Sequence, residues 1–183
     1  MMKKLLYIIG VLMVFVLGAN AEVDTSGKFY TQVNMWEEKD KIISTNYSRG
    51  MMIPVNTEVV IDKIGSKAIE FTIVKDSRKI KLENVKKFSL IETEQLMERT
   101  FKKTKVSVSK YSKNVQNAIK YGNLIVGMTK DAVIISRGYP PSHQTPSLDN
   151  DIWKYWQNRF VTRNVEFRDG KVSGLVGWGT GNN

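Results

Sequence analysis

An α+β fold is predicted, with strands in the first half of the chain, helices in the middle and strands again near the end. Apolar and polar residues alternate between residues 58 and 83, which is the period of half-buried strands. Apolar residues recur at helical spacing between residues 112 and 137, and alternation returns after residue 152. At 183 residues, the chain has room for one or two small domains.

The first half of the chain is predicted to form short antiparallel strands. In residues 68–73, the apolar Ile69, Phe71 and Ile73 alternate with polar residues and therefore share one face. The segments before and after repeat this pattern, and residues that favour turns separate them. Several short strands within so few residues favour a small antiparallel barrel or a strongly curved sheet.

The middle of the chain is predicted to contain a helix at residues 112–121. Its apolar stripe is formed by Tyr111, Val115, Ala118 and Ile119. Gly122 is placed to end it in the left-handed conformation. A further helix begins after Thr129, whose hydroxyl can accept a hydrogen bond from a backbone N–H of the first turn. Gly138 and the two prolines that follow end this helix.

Residues 152–160 are predicted to form an aromatic strand, followed by a tight hairpin turn at Asp169-Gly170. The strand has Trp153 and Tyr155 on one face and Trp156 on the other, and the sequence leaves open which face packs on the helices. The remaining face is either covered by the first half of the chain or exposed to a partner. The candidate contact residues are Trp153, Trp156, Arg159, Phe160 and Arg163.

Three motifs in the second half carry a resemblance to a known family. They are Gly-Met-Thr-Lys-Asp-Ala-Val-x(4)-Gly-Tyr-Pro-Pro at residues 127–141, Trp-x-Tyr-Trp at 153–156 and Val-x-Phe-x-Asp-Gly-Lys-Val at 165–172. In order and spacing they resemble the SmpA/OmlA family of small outer-membrane lipoproteins, also called BamE-type. The resemblance implies two helices packed on a three-stranded antiparallel sheet. It also implies a binding accessory that contacts outer-membrane assembly components and anionic phospholipid.

A weaker resemblance concerns residues 51–61, Met-Met-Ile-Pro-Val-Asn-Thr-Glu-Val-Val-Ile. This segment is similar to a strand and hairpin of bacterial SH3-like barrels, in which the usual role is binding to cell wall or peptide. The resemblance implies a small SH3-like domain in front of the BamE-like one.

The N-terminus has the three-part pattern of a secretory signal peptide. Lys3 and Lys4 provide positive charge, residues 5–18 are apolar, and Ala19-Asn20-Ala21 supplies small residues for cleavage. An uncleaved membrane anchor is the alternative, although the apolar run is shorter than most membrane spans. We therefore expect an exported protein of the periplasm or outer-membrane periphery. The chain contains no cysteine, so we expect no lipid anchor.

These patterns divide the chain into five segments. They are a signal peptide at 1–21, a strand-rich SH3-like domain at 28–91, a helical connector at 92–111, a BamE/OmlA-like domain at 112–176 and a flexible tail at 177–183.

The charge of the chain favours anionic partners. The net charge is +10, and it falls to +8 when cleavage removes Lys3 and Lys4. Such a protein is attracted to anionic lipid or wall polymers, whereas export argues against nucleic acid. A basic surface that serves only solubility is the alternative.

Catalytic and metal-binding patterns do not emerge from the sequence. The chain has one histidine, His143, and no cysteine, and no Gly-x-Ser-x-Gly motif surrounds a serine. Asp149 and Asp151 lack the glycine and closing glutamate of a calcium loop. We therefore predict a binding protein without enzymatic activity, cofactor or metal, acting as an envelope assembly accessory. The alternative function is cell-wall binding or inhibition of a hydrolase.

Overall fold

Residues 24–45 and 47–178 are described by a computed structural model, and they form a mixed α+β fold with several sheets and four helices. This confirms the α+β class predicted from the sequence. The signal peptide predicted at residues 1–21 and most of the predicted tail lie outside the described residues.

The N-terminal unit consists of eight strands and two helices in the described part of the chain. The strands are β1 Lys28–Thr31, β2 Met35–Glu37, β3 Lys41–Ile43, β4 Met51–Ile53, β5 Glu58–Ile64, β6 Ala68–Ile73, β7 Lys79–Glu83 and β8 Phe101–Lys102. The helices are α1 Lys86–Ser89 and α2 Thr93–Thr100. Six of these strands form one sheet in the order β3-β7-β6-β5-β1-β8, while β2 and β4 pair separately.

The six-stranded sheet is open, so no closed barrel is present among the described residues. Its two edges are β3, which runs parallel to β7, and β8, which pairs with β1. β3 and β7 pair in parallel although β4, β5 and β6 separate them along the chain. The sequence contains no local signal for this, because alternation predicts strands but not their partners.

The core of the N-terminal unit lies on one face of this sheet. The residues predicted to face inward are buried: Val59, Ile61, Ile69, Phe71, Ile73, Ile80 and Leu82. Met97 of α2 and Phe101 of β8 join the same cluster, and the Phe71 and Phe101 rings lie 4.9 Å apart. The basic helical stretch after residue 91 therefore packs on the first core, although the sequence alone indicated a connector.

The C-terminal unit consists of two helices against a three-stranded sheet. Its elements are α3 Lys113–Lys120, α4 Lys130–Arg137, β9 Ile152–Trp156, β10 Thr162–Arg168 and β11 Lys171–Val176. The strands are antiparallel in the order β11-β10-β9. Their inner faces pack on both helices around Met128, Val133, Trp153, Val165 and Phe167.

The turns and caps of this unit agree with the sequence. Ser112 accepts a hydrogen bond from the Val115 N–H, and Thr129 accepts one from the Ala132 N–H. Gly122 ends α3 with φ +66°. Asp169 and Gly170 both have positive φ, as a tight hairpin turn between β10 and β11 requires.

One buried asparagine joins the two units. The Asn34 side-chain amide donates to the carbonyl oxygens of Ile119 and Ser136, at 2.6 and 3.1 Å. Its side-chain oxygen accepts from the Val55 N–H at 2.7 Å, and its own N–H donates to the carbonyl of Ile135. Buried polar groups are costly without partners, so these bonds fix the position of α3 and α4 relative to the N-terminal unit.

Candidate binding surface

The connection between β9 and β10 forms a turn that is ordered by an asparagine. The Asn158 side-chain oxygen accepts hydrogen bonds from the backbone N–H groups of Phe160 and Val161, at 2.8 and 3.0 Å. The Gln157 N–H donates to the carbonyl of Val161 and closes the turn. Asparagine favours this arrangement because its short side chain replaces a backbone acceptor. We refer to residues 157–161 as the hairpin tip.

The hairpin tip presents an aromatic ring to solvent. Phe160 is 78% exposed and Val161 is 42% exposed. The Arg159 guanidinium lies 4.4 Å from the centroid of the Phe160 ring, within the distance of a cation–π contact. Two of the residues predicted to contact a partner, Arg159 and Phe160, therefore lie together at an exposed position.

Trp156 occupies a different environment. It lies half-buried at the end of β9, and its ring packs beside Tyr47, Phe88 and His143 at centroid distances of 6.4, 6.3 and 5.8 Å. Its indole N–H is buried and has no hydrogen-bond partner among the residues that the structure describes. Tyr47 and Phe88 belong to the N-terminal unit, so that unit covers this corner of the sheet. This was one of the two outcomes left open by the sequence.

Trp153 is fully buried and is not available to a partner in this conformation. It lies on the inner face of β9 at 0% exposure, 4.7 Å from the Phe167 ring and under the Lys130 ammonium group. The strand alternation explains this difference from Trp156, because successive side chains point to opposite faces. Its place among the candidate contact residues is therefore corrected: Trp153 belongs to the core.

Arg163, the remaining candidate, is half-buried inside a column of alternating rings and cations. Its guanidinium lies 5.2 Å from the Trp178 ring, and Arg137 lies 4.8 Å from the centroid of the same indole. Arg137 lies in turn 4.5 Å from Trp36. We call these four side chains the Trp–Arg column. Trp178 is held by a hydrogen bond from its indole N–H to the carbonyl of Asn164.

The column joins both units through a buried cation that the sequence does not indicate. Arg137 donates to the carbonyl of Gly122 at 2.8 Å and to the hydroxyl of Ser48. Burial lowers the pKa of Arg137 to about 10, because removal from water disfavours the charged form. Beside it, the Tyr155 hydroxyl donates to the carbonyl of Gly138, and burial raises the pKa of this phenol. No local pattern distinguishes Arg137 from an exposed arginine at the end of a helix.

His143 packs in the same aromatic corner as Trp156. Its ring lies 4.8 Å from the Phe88 ring, and Nδ1 lies 3.3 Å from the Phe88 carbonyl oxygen. Within residues 24–45 and 47–178, no group of three acidic, histidine or cysteine residues is arranged to hold a metal ion. None of the helices in the described part of the chain has the length and apolarity needed to cross a lipid bilayer.

A cleft of about 720 Å³ opens between the two units. Its floor is apolar and comes from β1, α2, β8 and α4, and its mouth carries charged side chains of both signs. Among the residues that line it are Phe29, Met97, Arg99, Lys102, Tyr111 and Ile135. We call this space the interunit cleft. The sequence could not indicate it, because its walls are far apart along the chain.

Comparison of the chain with protein-family models, with curated proteins and with solved structures finds no significant match to any of them.

Proposed function

We propose that the protein is an exported binding protein of the cell envelope that contacts a protein partner through the hairpin tip. The observation that carries the proposal is the 78% exposure of Phe160 on a turn that Asn158 orders. Aromatic and arginine side chains are enriched at the energetic centres of protein interfaces. An ordered turn reduces the entropy lost when these side chains bind.

The surface next to the hairpin tip supports a protein partner. On the outer face of the three-stranded sheet, Ile152 is 54% exposed and Val176 is 52% exposed. Their strand partners on this face are polar, Glu166 for Ile152 and Asn164 for Val176. Apolar residues spaced among polar ones are typical of a non-obligate interface, which is about as apolar as the rest of a protein surface.

The assembly-accessory role rests on the family resemblance and on architecture. Two helices packed on a three-stranded antiparallel sheet support the proposal of a BamE-like unit, and the open sheet in front replaces the barrel expected for an SH3-like unit. The net charge of +10 supports a further contact with anionic lipid. Fold similarity alone does not establish function, so the proposal depends on the exposed contact residues.

The test is photocrosslinking in intact cells from a photoreactive amino acid placed at position 160. We expect an adduct with one specific envelope protein, because the side chain at this position projects into solvent. The matched control places the same amino acid at Val74, which is 40% exposed beyond β6 in the N-terminal unit. Identical adducts from positions 74 and 160, or adducts only within the chain itself, would contradict the proposed contact.

A second function, binding to anionic wall polymer, is favoured by a basic pocket of about 580 Å³ in the N-terminal unit. Lys67, Lys81, Lys86 and Lys87 line this pocket, together with one carboxylate, Glu83. Lys81 and Lys86 are ion-paired with Glu83 and Glu92, whereas Lys67 and Lys87 form no ion pair within the described residues and can attract phosphate or carboxylate polymers. Sedimentation with purified wall sacculi tests this function, and the double variant Lys67→Glu/Lys87→Glu is expected to reduce the bound fraction. An unchanged bound fraction would exclude this pocket as the wall-binding site.

A further inference from the structure

The interunit cleft is separate from the hairpin tip and carries an inference of its own. We propose that it binds a single-chain anionic amphiphile, with the apolar tail along the floor and a carboxylate or phosphate head at the mouth. Its volume of about 720 Å³ is within the range of small-molecule sites in proteins. This inference goes beyond the proposed protein contact and does not depend on it.

The floor of the cleft matches an alkyl chain. It is formed by Phe29, Val33, Met97, Phe101 and Ile135, each of which is at most 8% exposed. Val106, Ile134 and Tyr139 in the same lining are partly exposed, and the hydrophobic effect favours an apolar ligand that removes their surface from water.

The walls offer little to a peptide backbone. Gln32 is the one uncharged amide side chain among the described residues that line the cleft, and it already donates to the carbonyls of Tyr30 and Thr104. An extended peptide would have to bury backbone N–H and C=O groups against apolar side chains, which is unfavourable without hydrogen bonds. An alkyl chain has no such requirement, so the floor favours the amphiphile over a peptide.

The mouth of the cleft carries the charge for an anionic head. Arg99 lies 5.0 Å from the Tyr139 ring, and Lys110 lies 5.1 Å from the Tyr111 ring. Within the described residues, neither of these cations nor Lys102 forms an ion pair with a carboxylate. These cations keep their charge available at the end of an apolar floor, which is the arrangement required by an amphiphile.

One further feature refines the site. Glu98 and Asp131 also line the cleft, so its three cations exceed its carboxylates by one and a single negative head restores balance.

The test measures binding of palmitate, hexadecanol and hexadecyltrimethylammonium to the purified protein by titration calorimetry below micelle-forming concentrations. We expect saturable binding of palmitate at one site, weaker binding of the uncharged alcohol and the weakest binding of the cationic amphiphile. An alkyl phosphate with the same tail separates the two head groups. Equal affinity for the anionic, uncharged and cationic amphiphiles would show that the charged residues at the mouth do not select the head group, and the proposal would fail.

Variants locate the site. Val106→Trp fills the half-buried wall of the cleft and is expected to weaken palmitate binding by about tenfold, because it removes space for the tail. Lys110→Glu is expected to weaken binding roughly threefold, whereas Glu98→Gln is expected to strengthen it. The control Lys63→Glu changes an exposed cation outside the cleft and is expected to leave the affinity unchanged. Thermal unfolding of each variant separates loss of the site from loss of the fold.

Two results would overturn the inference. One is palmitate binding that Val106→Trp leaves intact in a folded protein. The other is displacement of palmitate by an apolar peptide that binds more tightly, which would assign the cleft to a polypeptide. The variant Phe160→Ser, with the photoreactive amino acid moved to position 159, distinguishes this site from the hairpin tip, since it is expected to abolish the partner adduct while palmitate binding is retained.

Discussion

The N-terminal and C-terminal units use their cationic side chains in different ways. Every ion pair between side chains of the described residues joins groups from residues 24–103. In the C-terminal unit, cations contact aromatic rings and backbone carbonyls instead. Lys130 illustrates this, since its ammonium group donates to three consecutive carbonyls at residues 148–150 and lies over Trp153 and Phe167.

The difference teaches where each kind of contact stabilises the protein. Ion pairs on an exposed sheet are screened by salt and contribute little individually. Cations that lie between rings and carbonyls are partly withdrawn from water, so their loss leaves cavities and unsatisfied acceptors. Among the cations that contact rings and carbonyls, burial determines how much each stabilises the protein. Arg137 is buried and holds the two units together, while Arg159 stacks on an exposed ring.

The largest expected effect is the difference in the free energy of unfolding lost when Arg137 or Arg159 is replaced. Arg137→Ala is expected to lower the free energy of unfolding by about 3 kcal/mol, because it opens a gap between Trp36 and Trp178 and leaves the Gly122 carbonyl without its donor. The matched variant Arg159→Ala is expected to change it by less than about 0.5 kcal/mol. Urea unfolding followed by tryptophan fluorescence measures both. Similar losses for the two variants would show that burial does not separate the two arginines.

The next effect concerns the glycine beneath the Trp–Arg column. Gly122 has φ +66°, and a Cβ there would lie 2.7 Å from the Trp36 ring. Gly122→Ala is therefore expected to cost about 2 kcal/mol, from backbone strain and from displacement of the indole. Gly127 also has positive φ, but a Cβ there would meet only open space, so Gly127→Ala is expected to cost only about 1 kcal/mol. Equal costs would mean that contact with Trp36 is irrelevant.

A smaller effect is expected among the ion pairs of the N-terminal unit. Arg78 donates to Glu37 at 2.8 Å, and this carboxylate is almost fully buried. Arg78→Gln is expected to cost about 1.5 kcal/mol, because Glu37 loses its charged partner. Arg49→Gln breaks an exposed pair with Glu38 and is expected to cost about 0.5 kcal/mol at low salt and less at high salt. Denaturant unfolding at two salt concentrations provides the comparison, and a larger loss for Arg49→Gln would reverse this ranking.

Local sequence patterns predicted much of the secondary structure but few of the contacts between the N-terminal and C-terminal units. The inward faces of β5 to β7, the Thr129 cap and the Asp169-Gly170 turn each depend on a few consecutive residues, and each was predicted correctly. Asn34 and Arg137 acquire their roles from atoms that lie far away along the chain. A polar residue has no periodic signature that distinguishes a buried, fully bonded position from an exposed one. The same reason explains why the interunit cleft was not predicted.

For the candidate contact residues, the sequence predicted that side chains alternate between the two faces of β9, but it did not predict which face is buried. Alternation along β9 places Trp153 and Trp156 on opposite faces, and only the packed structure shows that one lies in the core and the other beside Phe88. Phe160 lies neither in the core nor beside Phe88, because the turn that Asn158 orders takes the chain out of β9 before Phe160 is reached.

The smallest expected effect is the acid response of the ion-paired unit. Lys28 donates to the carboxylate of Glu58 and holds the pKa of Glu58 below its usual value of 4.5. A carboxyl whose pKa is lower in the folded state stabilises the fold above the unfolded-state pKa, and this contribution is lost as the pH falls through the folded-state pKa. Glu58→Gln is therefore expected to be slightly less stable than the parent at neutral pH and equally stable in acid.

Urea midpoints across the acid range measure this convergence. The control Glu70→Gln changes an exposed strand carboxylate that forms no ion pair within the described residues, and it is expected to leave a constant difference from the parent across the same range. Since the Lys28–Glu58 pair is exposed, added salt is expected to reduce the difference at neutral pH. A difference for Glu58→Gln that grows in acid would have the wrong sign, because protonation of Glu58 removes the interaction that the variant lacks.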